Sequence, residues 1–269
     1  YEFADFSQAL AVDGDTMVVG APGEDGYRGA AYVMELVNEK WVHIAKLTPP
    51  KIKAWGQFGV SVDIEGDTIV VGQPGKLDEG ANARVYVYQK PVGGWLDMEP
   101  SYYIDQMQND PGDRIRNYGR TVKLKNNTLA VGAPYYYNGG VFLYKLGSFQ
   151  ADHLQTIKNL NSRFGLTLAM DDARLYVVAN RNTIEIYKSV LDIWSLEATL
   201  SATPFEYEDE VDFSDLEVND NWVVAGSYHN YGHGRTRGTY LYRKSTSQWQ
   251  DMKETQRVHD DTWSGTYGN

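Results

Sequence analysis

The 269-residue chain contains no cysteine, so disulfides, thiolate nucleophiles and thiolate metal ligands are all excluded. Long apolar runs are missing too, and no stretch approaches the roughly 20 residues that a membrane-crossing helix needs. Positive charge is scarce: 25 Lys and Arg face 36 Asp and Glu, a net charge of −11. Nucleic acids and anionic membranes require a basic footprint, which this composition does not supply. The densest basic cluster in a candidate loop is Arg235-Thr236-Arg237. An acidic surface suits solubility, or a partner with cationic groups or divalent ions. The five histidines, His43, His153, His229, His233 and His259, are scattered over four regions. No Gly-x-Ser-x-Gly elbow, phosphate-binding loop or His-Glu-x-x-His string occurs, and no catalytic constellation is legible.

What the chain has in abundance is tyrosine, with 20 residues, and a repeated text. Its clearest copy runs from Phe58-Gly59-Val60-Ser61-Val62-Asp63-Ile64, through Gly66-Asp67-Thr68-Ile69-Val70-Val71-Gly72-Gln73-Pro74, to Val85-Tyr86-Val87-Tyr88. Related copies open at Phe6, Tyr118, Phe164 and, one residue out of step, Phe213. Each copy predicts four strands. An alternating strand leads through a tight polar turn into a continuous apolar run, the mark of an inner strand buried on both faces. The alternating tyrosine run is strand three, and a Trp (Trp41, Trp95, Trp194, Trp249) is expected to start strand four. Radial repetition of such sheets is a β-propeller. The expected fold class is therefore all-β, with four-stranded antiparallel blades at about 6–50, 58–104, 118–157, 164–200 and 213–252 in one domain. These five visible repeats either form the ring or belong to a larger one. Residues 253–269 either close the ring or begin another blade, because Trp263 to Gly268 is similar to Trp55 to Gly59. The start at Tyr1, with no targeting segment, is read as a mature form or an excerpt of a longer protein.

Phe-Gly followed by a short apolar strand ending Val-Gly-Ala-Pro resembles the FG-GAP repeat of integrin α-subunit propellers and related surface proteins. The residues that carry the likeness are Phe58-Gly59 with Val71-Gly72-Gln73-Pro74, Val19-Gly20-Ala21-Pro22, and Tyr118-Gly119 with Val131-Gly132-Ala133-Pro134. The resemblance implies an extracellular or cell-surface setting and partner binding on one propeller face. It does not carry calcium with it. A Ca²⁺ site needs six to eight oxygens, and turns such as Asp13-Gly14-Asp15 offer two carboxylates. No cofactor is expected, apart from weak divalent-ion binding at the acidic run Glu206 to Asp212.

The loops between strands two and three, together with the blade connectors, are expected to share one face. That face would collect Tyr27, Trp55, Tyr102, Tyr103, Tyr135, Tyr136, Tyr137, Tyr207, Tyr228, His229, Tyr231 and His233. Aromatics not needed for a core suit binding surfaces, where they bury large area at low entropic cost. His229 and His233 stand four apart, but in a Gly-rich stretch expected to be a solvated loop rather than a metal-binding helix. Asn126-Asn127-Thr128 is a glycosylation sequon on a strand-one to strand-two turn. The expected function is non-catalytic adhesion or recognition of a protein or glycan. A structural subunit that assembles with copies of itself is the alternative, and a propeller hydrolase or lyase the outsider.

Overall fold

A computed structural model of the chain describes residues 9–50, 55–75, 82–106, 117–134, 139–161, 163–204, 211–231 and 234–259. The chain falls into two compact units, Tyr1–Leu166 and Thr167–Asn269, which are described separately.

The first unit holds three four-stranded antiparallel sheets, each in sequential order. Blade one comprises β1 (Ala9–Asp13), β2 (Thr16–Ala21), β3 (Ala30–Val37) and β4 (Lys40–Leu47). Blade two comprises β5 (Ser61–Glu65), β6 (Thr68–Gln73), β7 (Arg84–Gln89) and β8 (Tyr102–Asp105). Blade three comprises β9 (Thr121–Lys125), β10 (Thr128–Ala133), β11 (Gly139–Leu146) and β12 (Ala151–Asn159). The second unit holds blade four, β13 (Leu168–Met170), β14 (Arg174–Val178), β15 (Thr183–Val190) and β16 (Ile193–Ser201). It also holds blade five, with β17 (Phe213–Val218), β18 (Trp222–Tyr231), β19 (Gly234–Arg243), the short β20 (Met252–Lys253) and the outer strand β21 (Gln256–His259). The protein is thus all-β, in five blades of propeller type.

The period of two along each strand sorts side chains onto two faces, and each face packs against a neighbouring blade. Val18, Val33 and Leu47 on the forward face of blade one meet Val62, Ile64, Ile69 and Val71 on the backward face of blade two. One repeat later Val70, Val85, Val87 and Ile104 meet Val122, Leu124, Leu129 and Val131. In the second unit Tyr176, Ile184, Ile186 and Leu200 meet Leu216, Val223, Ala225 and Tyr240. Burial of each such side chain stabilises by about 1.5–3 kcal/mol, which explains why strand two is apolar throughout. The opening aromatic of a repeat lies edge-on against its own strand three. Phe58 sits 5.4 Å from Tyr86, Tyr118 5.3 Å from Phe142 and Phe213 5.5 Å from Tyr240. Phe6 lies outside the described residues.

The two glycines of the motif are explained by contact between blades. A Cβ on Gly20, Gly72 or Gly132 would lie 1.9, 2.1 and 2.1 Å from the carbonyl oxygens of Gly59, Gly119 and Gly165. Strand two of one blade therefore touches the Phe-Gly backbone of the next with nothing between. Gly59 and Gly119 themselves adopt φ of +88° and +82°, a region that side chains rarely enter. Hydroxyls fasten the same junctions: Ser61 Oγ donates to Gly119 O at 2.9 Å and Thr121 Oγ1 to Leu166 O at 2.6 Å. Blade four carries Val178 at the first glycine position, and blade five carries Ser214 at the second. Both partners of that junction have changed, and β17 bulges between Phe213 and Asp215.

Several details depart from the sequence-based expectation. Trp41 and Trp194 lie inside strand four, but Trp95 and Trp249 precede β8 and β21 in longer segments. Each belongs to a Trp-x-Asp-Met string that straps its blade to the outer strand of the preceding one. Asp97 Oδ1 accepts from Lys46 N and Asp251 Oδ1 from Thr199 N, both at 2.7 Å. Met98 forms a parallel bridge with Leu47, and β20 pairs in parallel with β16, so Met252 lies in the sheet of blade four. Blade five consequently ends at β21, beyond the expected boundary at 252. Tyr102 and Tyr103 lie in β8 rather than in a connector. The expected loop at Tyr228–Tyr231 is instead a continuation of β18, paired in register with Gly234–Arg237.

Candidate functional site

Of the aromatic residues expected on one face, the structure brings two of those described together. Tyr27, at the end of the short turn that follows β2, and Trp55, in the connector from blade one to blade two, stack with ring centroids 4.6 Å apart and planes 10° from parallel. Trp55 remains 40% exposed. The backbone holds both residues in an unfavourable region, with φ of +62° at Tyr27 and +66° at Trp55. Left-handed backbone costs a bulky residue roughly 1–2 kcal/mol, and it persists only where the surroundings fix it. Here they do: Gln57 N donates to Tyr27 O at 2.9 Å, Phe58 N to Arg28 O at 3.1 Å, and Gly29 bridges to Phe58.

Charged residues neighbour Tyr27 in sequence within the same turn. Arg28 pairs with Asp25 at 3.1 Å. Glu24 accepts hydrogen bonds from the Tyr32 hydroxyl and from Lys46 Nζ, and that bond raises the lysine's affinity for its proton. Burial, followed by the neighbouring Glu24, raises the Tyr32 hydroxyl. The turn that carries Tyr27 thus also carries Glu24, Asp25 and Arg28, each paired with a charge of the opposite sign. Sequence reading named Tyr27 and Trp55 but could not pair them. It missed Glu24, Arg28 and Lys46, whose grouping depends on the turn's geometry.

The other candidates are placed differently. Tyr102 is half-buried on β8, where its hydroxyl donates to Gly147 O at 2.8 Å and burial pushes its pKa up to about 12. It therefore locks blade two onto the blade-three hairpin. Tyr228 and His229 occupy consecutive rungs of β18, and Tyr231 follows them after Asn230. Tyr135, Tyr136, Tyr137, Tyr207 and His233 lie outside the described residues, as does most of the acidic run from Glu206, of which Asp212 is half-buried. Asn126 sits on an exposed turn with φ of +51°, its backbone N–H donated to Glu65.

Among the described residues, no group of three or more histidine or carboxylate side chains is arranged to hold a metal ion. Asp63 has a raised pKa, caused first by burial. Its two oxygens accept from Ile64 N at 3.0 Å and Leu124 N at 2.7 Å, which makes it a tie between blades two and three. Glu65 works alongside it, accepting from Asn126 N at 2.9 Å, as Asp13 accepts from Gly66 N at 2.5 Å one repeat earlier. No helix of the described chain is long and apolar enough to cross a membrane.

Comparison with known proteins bears on this geometry. The FG-GAP repeat family model matches residues 2–34 and 41–88. Human integrin alpha-6 is 26% identical over 216 residues, covering 72% of this chain and 19% of that protein. Among solved structures, the computationally designed Ika8 protein superposes with a TM-score of 0.57 at 14% identity, over 94% of this chain and 61% of that one. A candidate 6-phosphogluconolactonase of Bacteroides fragilis superposes with a TM-score of 0.62 at 10% identity, over 90% and 68%. At such identities these structures speak to the fold alone. The glycine junctions, the aromatic wedges and the match to the repeat model agree: the protein has a β-propeller fold whose residues 2–34 and 41–88 match the FG-GAP repeat, and it is similar in sequence to an integrin α subunit.

Proposed function

We propose that the protein is a non-catalytic, extracellular recognition module of adhesion type, which binds a protein or glycan through the surface carrying Tyr27 and Trp55. The observation that carries this reading is the exposed stack itself. Two bulky residues are held at positive φ, where a strain-free sequence would place glycine or asparagine, and neither ring is among the buried core side chains. A rigid aromatic pair loses little entropy on binding, and the charged pairs of the turn that carries Tyr27 can set orientation. Similarity to integrin alpha-6 supports a binding role and a cell-surface setting. The net charge of −11 favours partners with cationic groups.

The test is to screen the purified chain against a glycan array and a panel of extracellular-matrix proteins, with Trp55→Ala and Tyr27→Ala alongside. Retained thermal stability with binding reduced at least about tenfold in both variants supports the assignment, since a central aromatic anchor is worth about 2 kcal/mol or more. Binding that survives both substitutions refutes it.

A further inference from the structure

Among the described residues, blades two and five carry a Trp-x-Asp-Met strap that covers the outer edge of the blade before them. In blade two, residues 90–101 separate β7 from β8, and in blade five residues 244–255 separate β19 from β21. Blade three instead turns directly from β11 to β12, with Gly147 N donating to Gln150 O at 2.8 Å. It has no strap to lay across blade two, its neighbour in the same unit, and β8 is the end of its sheet. Burial records the difference. Leu47 and Leu200, beneath the two straps, are 0% exposed, whereas the equivalent Ile104 of β8 keeps 9%. Backbone polarity records it too. Gln106 N donates to Ala83 O at 3.5 Å, so the even-numbered residues of β8 turn their polar groups towards β7 and the odd-numbered ones turn theirs outward. Tyr103 N–H therefore points outward, at the place equivalent to Lys46 N and Thr199 N, which donate to the strap carboxylates of Asp97 and Asp251. Among the described residues no carboxylate accepts from Tyr103 N.

We infer that the outer edge of β8, from Tyr103 to Asp105, is a docking site for an extended segment of another protein in which an aspartate precedes an apolar residue. The two straps define that chemistry, because each supplies to its neighbour what this edge still offers to receive. The segment adds in parallel, as Met98 does beside Leu47 and β20 beside β16. Its aspartate accepts from Tyr103 N. Its apolar residue lies beside Ile104, donates its backbone N–H to Tyr103 O and accepts from Asp105 N, the alternation that a parallel ladder requires. Arg84 is paired with Asp105 at 2.5 Å and lies over the Tyr103 ring at 4.3 Å. It offsets the Asp105 charge, so the incoming carboxylate meets no net negative charge. In strand addition of this kind main-chain bonds supply affinity, and here the aspartate supplies selection. The site does not depend on the Tyr27–Trp55 surface, and either can fail without the other.

Hydrogen exchange of single amides in the full chain tests it, with a synthetic peptide of the strap sequence Gly94 to Pro100 as the probe. In the free chain the Lys46 and Thr199 amides should exchange slowly and the Tyr103 amide fast. Added peptide should slow the Tyr103 and Asp105 amides. Replacing the peptide's aspartate by alanine should weaken its binding about tenfold, because a charge-assisted bond is lost. Tyr103→Pro removes the outward N–H and spares the ladder to β7, a place where an edge strand tolerates proline, and should weaken peptide binding at least about tenfold. Tyr103→Ala keeps the N–H and should bind within about threefold of the wild type. A Tyr103 amide that is already slow in the free chain overturns the inference, because its own chain then covers the edge. So does a peptide that slows neither amide at about 1 mM. Binding that survives Tyr103→Pro, or is lost in Tyr103→Ala, also overturns it. If Tyr103→Pro does not fold, amide exchange in the wild-type chain decides alone.

Discussion

Replacing Gly72 by alanine tests the proposed origin of the motif directly. The new Cβ would lie 2.1 Å from Gly119 O and 2.2 Å from Ser61 Oγ, where Cβ contacts under 3.0 Å essentially do not occur. The serine cannot simply rotate away, because its hydroxyl donates to that same carbonyl at 2.9 Å. Relief therefore requires strand two of blade two and the opening of blade three to separate by about 0.9 Å, which loosens a close-packed junction. Overpacking of this kind costs typically 1–3 kcal/mol, and a clash with backbone sits at the upper end, near 3 kcal/mol. For a chain of this size that corresponds to a fall in melting temperature of roughly 6–12 °C. Gly66→Ala is the control: φ is +56° but nothing lies within 4 Å of its Cβ, so only the backbone term of about 1 kcal/mol remains. Thermal and urea unfolding of both variants decide the matter. If Gly72→Ala is no less stable than Gly66→Ala, cross-blade contact is not what the motif glycine serves.

Further outcomes are expected. Asp97→Ala and Asp251→Ala each leave a backbone N–H of the preceding blade without its carboxylate, and each should lower stability by about 1–2 kcal/mol in urea titrations. Burial, together with Asp171 beside Tyr176, raises the hydroxyls of Tyr88, Tyr118, Tyr176 and Tyr242. The folded state therefore keeps protons that the unfolded state releases above about pH 10, and stability should be full below that pH and fall steeply beyond it. Tyrosinate absorbance should appear together with unfolding rather than before it. Asp63 is an acid with a raised pKa, so its ionised form disfavours folding, and its contribution should improve as pH falls through a value above the ordinary aspartate range. Carboxyl chemical shifts of Asp63 against pH check the direction. Expression through a secretory pathway should add a glycosidase-sensitive mass at Asn126, absent in Asn126→Gln.

Much of the architecture is legible in the text because the repeat is spelled in residues with strict steric roles. Gly20, Gly72 and Gly132 touch backbone, Phe58 and Tyr118 wedge onto strand three, and Val18 to Val131 alternate between faces. The Trp-x-Asp-Met straps are also present in the sequence, at Trp95-Leu96-Asp97-Met98 and Trp249-Gln250-Asp251-Met252. Tryptophan's high strand propensity makes them look like strand starts, and the partner that defines a strap lies 51 to 52 residues away. Glycine and histidine at Tyr228–Tyr231 suggest turn chemistry, whereas continued pairing with Gly234–Arg237 prolongs the ladder. For the candidate site, aromatic identity was readable. The stack was not, since it depends on two left-handed residues in segments about 28 positions apart, and such conformations have no sequence signature in tyrosine or tryptophan.

The glycine junctions also bear on how such a chain can be edited. A junction of Gly20 with Gly119 would have the same parts as the two it replaces, with Asp13 facing Asn126 N in place of Gly66 N. Loss of the whole second blade therefore leaves compatible ends, and repeats of this kind can be dropped or gained as units. Blades four and five are different. Val178 and Ser214 replace the glycines on both sides of one junction, so the forward side of blade four and the opening of blade five suit each other and not a blade of the common type. That pair is inherited or lost as one piece, and the interchangeable module there is two blades long.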